Sequence, residues 1–201
     1  VLIMRKLKLL SLAVAALAMS ACGDSKIDAP LIAESGNPTL AHKEKTIVMF
    51  FWYGCPHCYK VHAEMLKKDI PGVSVEYVAV PGNEIWTKHA QHFYTMKRMD
   101  LLTSISDKFF DMVQQAKSNP SNSEIDKFLE SQGVDINEYH KVFASDGIQK
   151  DLESASEMSK KYGVNGVPAI YADGDHRLEM ERAASYADIP KALDLYYSHR
   201  P

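Results

Sequence analysis

Apolar residues change their spacing abruptly at Gly54. Before it, Thr46 to Trp52 reads TIVMFFW, an apolar run bounded by charge on one side, and it predicts a buried central strand. After it, Cys58, Val61, Met65 and Leu66 recur at helical intervals until Pro71 and Gly72 stop the run. Gly54 supplies the turn, and Pro56 suits the first helical turn, where a missing N–H is harmless. The pattern therefore sets Cys55 where a strand ends and a helix begins. VSVEYVAV then predicts a second strand, closed by Pro81 and Gly82.

From about Glu84 to Phe143 the period is almost wholly helical. Phe93, Met96 and Met99 to Leu101 mark one apolar face, and Phe109, Phe110 and Val113 mark another. SNPSNSEIDKFLESQG reads as a loop, a cap at Ser123, a short helix and a stop at Gly133, and Asp135 with Glu138 has capping-box spacing. Ile148, Leu152, Ala155 and Tyr162 continue as a helix that returns to the core. AIYA, the Asp173-Gly174 turn and RLEM predict a hairpin, and a helix around Ile189 to Tyr197 follows.

At 201 residues and 46% hydrophobic content, the chain suits one domain or a domain with an insertion. A formal net charge of -3 carries no basic excess, so a nucleic-acid footprint is missing. The N-terminal pattern is different in kind. From Met4 onward Arg5, Lys6 and Lys8 precede an apolar run from Leu9 to Met19, too short to span a bilayer and shaped like an export signal. Ser20 and Ala21 directly before Cys22 make residues 1–21 resemble a bacterial lipoprotein signal, with Cys22 lipidated. The alternative is an ordinary cleaved signal with Cys22 incidental. Either places the protein outside the cytoplasm, where disulfides persist. Residues 22–42, polar and interrupted by Pro30 and Pro38, read as a flexible tether.

The chemistry gathers at FFWYGCPHCYK. A Cys55 thiolate would meet unpaired N–H groups and the positive end of the helix dipole, while Cys58, a turn further in, is more enclosed. The exposed sulfur then attacks and the enclosed one resolves. Pro56 stiffens the turn, and His57 adds a donor or positive charge beside the same sulfur. Each unit of thiol pKa lowering beyond neutrality favours the reduced pair by about 1.4 kcal/mol, or about 30 mV toward a stronger oxidant. A metal clamp wants a second pair of ligands, although Cys58 and His62 share a helical face. A permanent structural disulfide is open on spacing alone, but so short a loop contributes little closure entropy. Five of the eight histidines fall singly and receive no role, and Met158 and Met180 read as core filler.

CPHC after an aromatic strand, together with GVPA before a late strand, resembles the DsbA family of thioredoxin-fold disulfide oxidases. The resemblance covers roughly residues 43–201. It implies an α/β fold, a thioredoxin-like core with an inserted helical subdomain at about 84–145, and a cis bond between Val167 and Pro168 lying against the cysteines. It also implies that Val167 offers backbone hydrogen bonds to an extended substrate.

The implied activity is a thiol:disulfide oxidase that passes its Cys55-Cys58 disulfide to unfolded exported proteins with free thiols, through a mixed disulfide at Cys55. No cofactor or metal is expected. A DsbB-type quinone-linked membrane protein would reoxidise the pair, in a periplasmic monomer held to a membrane through Cys22. The alternatives are a disulfide isomerase or reductase on the same fold, and a non-catalytic peptide-binding chaperone or metal-delivery protein. The sequence departs from the family at three places. Acids expected six residues before and seven after the first cysteine are Met49 and His62, and Tyr77 stands near a lysine's place on the second strand.

Overall fold

The computed structural model describes residues 31–37 and 39–199. The export signal and Cys22 lie outside them. The apolar run forms strand β2 (Thr46–Phe51), whose last five residues are all buried. Helix α1 (Pro56–Met65) follows, then β3 (Ser74–Ala79), parallel to β2 with Met49 opposite Tyr77. Burial on both faces explains the unbroken apolar sequence of β2, since no position is left for a polar alternation.

Five helices come next: α2 (Glu84–Arg98), α3 (Leu102–Gln115), α4 (Asn122–Ser131), α5 (Ile136–Phe143) and α6 (Asp146–Lys161). The chain then returns to the sheet as β4 (Ala169–Ala172) and β5 (His176–Leu178), and α7 (Asp188–Ser198) follows. β4 is antiparallel to β2 and fully buried. With β1 spanning Ile32–Glu34, the sheet order is β1-β5-β4-β2-β3, so the helical insertion leaves from the edge strand β3 and returns at the central strand β4. α1 packs on α7 and α3, and α2 packs on α3, α5, α6 and β3.

The segment read as a tether is not free throughout. Ile32–Glu34 is the edge strand β1, antiparallel to β5 with Ile32 opposite Leu178, and Leu31 and Ile32 are buried. Three residues are too few for an alternation to show in the sequence. Smaller differences have equally local causes. Ser121, not Ser123, caps α4: its hydroxyl accepts from the Glu124 N–H while the Glu124 carboxylate accepts from the Ser121 N–H. Both serines have an acid three residues on, Glu124 after Ser121 and Asp126 after Ser123, and only the longer glutamate side chain suits the reciprocal bond. Leu66 falls after α1 and is exposed. Met180 belongs to a 3-10 turn (Met180–Arg182) and not to the strand.

Ile32→Ala removes a core side chain supplied from outside the sequence-defined domain, and is expected to cost about 2 kcal/mol. Urea unfolding measures it; an unchanged midpoint would place β1 outside the cooperative fold.

Candidate active site

Gly54 and Cys55 form the corner between β2 and α1. A Cβ on Gly54 would stand 2.2 Å from the Trp52 ring, so only glycine lets the indole fold back over the turn. There Trp52 stacks on Trp86, centroids 4.8 Å apart, and on His89. Helix α3 fixes the corner from the other side. Gln114 donates to the Tyr53 carbonyl at 2.7 Å, and Ser118, just past the helix, donates to the Gly54 carbonyl at 2.6 Å. Tyr53 is buried, its hydroxyl 2.6 Å from that of Ser106.

Cys55 is the N-cap of α1. Its backbone is extended, and its sulfur accepts the Cys58 N–H at 3.2 Å, the place a serine or aspartate oxygen usually takes. The Cys55 sulfur also faces the Val167 carbonyl at 3.5 Å. The Val167-Pro168 bond is cis, and β4 starts at the next residue, so the two distant motifs meet at this sulfur. Cys55 keeps 7% of its surface exposed and Cys58 none.

The two thiols are driven apart. The Cys58 thiol donates to the Cys55 sulfur and, aided by the backbone N–H groups of Cys58 and His57, outweighs the burial that opposes ionisation. The Cys55 thiol is brought down to about 7. Burial pushes the Cys58 thiol up, and its hydrogen bond and charge interaction with Cys55 push it further. Both sulfurs are free thiols in this state.

His57 behaves differently from the sequence reading. Its Nδ1 pairs with the Tyr186 hydroxyl, and only its backbone N–H is among the groups that lower the Cys55 pKa. Lys60 lies over the Tyr186 ring, 5.6 Å from the centroid. A cavity of about 520 Å³ opens here, lined among others by His57, Val167, Pro168, Met180 and Tyr186. Pro56 occupies the first position of α1. The sequence carried no signal for Tyr186, 129 positions from His57, nor for Gln114 and Ser118, which read as ordinary helix and loop polar residues.

The three departures also come together. His62, a turn beyond Cys58 on α1, places Nε2 2.8 Å from the Asp107 carboxylate and Nδ1 3.2 Å from the Tyr77 hydroxyl. Met49 is buried beside them on β2, opposite Tyr77. A polar trio thus stands where the family pattern has two acids and a lysine, with its carboxylate coming from α3.

The family model of the DSBA-like thioredoxin domain matches residues 71–193. The thiol:disulfide interchange protein DsbA of Pseudomonas aeruginosa is 28% identical over 153 residues, 74% of this chain and 72% of that protein. That of Burkholderia cepacia is 25% identical over 168 residues, 81% and 79% of the two chains. The crystal structure of Pseudomonas aeruginosa DsbA superposes with a TM-score of 0.71 at 24% identity, covering 84% of this chain and 91% of that one. With the same mixed sheet, the same helical insertion and a family match over more than half its length, the chain belongs to the DSBA-like thioredoxin domain family and is a thiol:disulfide oxidoreductase.

Proposed function

We propose that the protein is an oxidase, donating the Cys55-Cys58 disulfide to exported proteins as they fold. The opposed ionisation of the two thiols carries this reading. A substrate thiolate attacks the Cys55 sulfur, the one with exposed surface, and breaks the Cys55-Cys58 bond as a mixed disulfide forms. Cys58 leaves and takes up a proton. A second substrate thiolate then attacks the substrate sulfur and expels Cys55. The substrate loses two electrons, and the cysteine pair gains them.

The fate of the mixed disulfide decides the direction. A leaving thiol at about 7 departs more readily than an ordinary one at 9.0. The backward route needs Cys58 as a thiolate, and burial keeps it protonated. Val167, at the cis bond, holds an extended substrate by its backbone, and the cavity beside His57 and Tyr186 receives the flanking side chains.

The setting follows from the first forty residues and from family membership. Residues 1–21 export the chain, Cys22 carries a lipid, and the protein works as a monomer in the periplasm with a tether ending at β1. A DsbB-type quinone-linked membrane protein reoxidises the pair. Among the described residues no helix is long and apolar enough to cross a membrane. An isomerase or reductase reading draws on one observation: a thiol at about 7 is only half ionised at neutral pH, so thiolate stabilisation of the reduced pair is weak there.

Stoichiometric mixing with a reduced unfolded protein separates the readings. Two substrate thiols are expected to disappear per disulfide-closed chain; Cys58→Ser, its Cys55 first converted to a mixed disulfide with thionitrobenzoate, is expected to exchange that group for substrate and hold the substrate at Cys55, and Cys55→Ser to oxidise no substrate. Unchanged substrate thiols, with scrambled disulfides rearranged by the reduced protein, would make it an isomerase.

The lowered thiol also links redox state to stability. Between the folded value of about 7 and the ordinary value of 9.0, the unfolded reduced chain holds a proton that the folded one has released. The Cys55 contribution to stability of the reduced form is therefore expected to rise with pH across that window, level off above it, and be lost as pH falls through 7. Thermal unfolding of reduced protein against Cys55→Ala tests it: the slope belongs to the parent alone, and equal slopes would contradict the assignment.

A further inference from the structure

The turn between β4 and β5 lies at the pole of the sheet away from the cysteines. Ala172, ending β4, pairs with Ile47 near the start of β2, whereas Cys55 follows the end of that strand. At about 3.3 Å per residue, the length of β2 sets the poles roughly 17 Å apart.

Three side chains converge at this turn. His42 Nδ1 lies 3.2 Å from Asp175 Oδ2 and 3.3 Å from Oδ1, and His176 Nδ1 lies 2.5 Å from Asp175 Oδ1. One ligand-capable atom from each residue falls within 4.8 Å of the others. The His176 side chain is 14% exposed and Asp175 28%, while His42 at 45% closes the group from the solvent side. Neither histidine stands out in the sequence, for they are 134 positions apart.

The backbone around the group is pinned independently of it. The Lys43 N–H donates to the Asp173 carbonyl at 2.6 Å, and the Ser35 N–H donates to the Asp175 carbonyl at 2.8 Å. Gly174 has φ +80°, and a Cβ there would stand 2.6 Å from the Ala41 carbonyl oxygen. The residues on both sides of His42 therefore lie against the turn that carries Asp175. His176 is set by its strand pairing with Ala172 and Glu34, and its ring packs on Tyr196 at 5.4 Å.

We propose that His42, Asp175 and His176 form a site for one divalent transition ion of the zinc class. Two imidazole nitrogens and a carboxylate are a borderline donor set, which favours zinc over magnesium or calcium, whose sites are built from oxygen. Zinc bonds of about 2.0–2.1 Å put tetrahedral ligands about 3.3 Å apart, the present spacing of His42 and Asp175. His176 Nδ1 has to withdraw from the carboxylate by less than an ångström. Ligation through Nδ1 requires each imidazole to carry its proton on Nε2, which leaves the Nδ1 lone pair for the ion. The ion would staple the segment before β2 to the β4–β5 turn. It would take no part in the cysteine chemistry, and the proposal does not depend on the oxidase reading.

The test titrates zinc chloride calorimetrically into the exported chain with its Cys55-Cys58 disulfide closed and Cys22→Ser in place, so that no thiolate competes. One zinc ion per chain is expected, with no uptake of magnesium. His42→Ala and Asp175→Asn are each expected to weaken binding by at least about tenfold. His42 is an exposed loop side chain whose loss leaves the fold intact, and the metal-free melting temperature of each variant checks this. No uptake by the parent, or equal affinity in the two variants, would overturn the site.

Discussion

The Cys58 N–H, donated to the Cys55 sulfur at 3.2 Å, is the contact on which the rest of the site depends. The sulfur takes the N-cap position of α1, so it satisfies a helix N–H that would otherwise lack a partner, and the helix stabilises the sulfur as an anion. Losing a proton at Cys55 therefore strengthens the cap. The same first turn brings Cys58 into the core, where a thiolate has no solvent to stabilise it. Four residues thus give one thiol that ionises readily and one that does not, and the division of labour between them follows.

Holding that turn is the work of parts far away in sequence. β2 ends in the middle of the core with buried neighbours on both sides, which fixes where Gly54 and Cys55 emerge. Ser118 and Gln114 then bind the carbonyls of Gly54 and Tyr53, so the helical insertion grips the corner directly as well as roofing the site. From the other side the residues entering β4 present the Val167 carbonyl to the Cys55 sulfur. Asp107, from the same helix as Gln114, reaches His62 below Cys58. The insertion supplies polar partners that a bare thioredoxin-like core of this sequence would not have.

Much of this was legible in the chain itself. A short apolar run rich in aromatic residues and ended by Gly54 reads as a strand covered on both faces, and Pro56 suits the first turn of the helix that the later spacing predicts, so β2, α1 and the position of Cys55 followed from local rules. The meeting of CPHC with GVPA came from resemblance, since nothing local links positions so far apart. What stayed hidden had physical reasons. β1 is too short for a period, and its burial depends on β5, almost the whole chain away. His57 looked like a partner for the sulfur because Tyr186, which takes its ring, lies in a segment without pattern.

Alkylation of the fully reduced protein across pH, mapped by mass to individual cysteines, tests the opposition of the two thiols most directly. Of the pair, Cys55 alone should react, with a midpoint near about 7, while Cys58 stays unmodified until the protein unfolds. Reaction at both cysteines together, or a Cys55 midpoint near the ordinary 9.0, would mean that the start of α1 does not separate them.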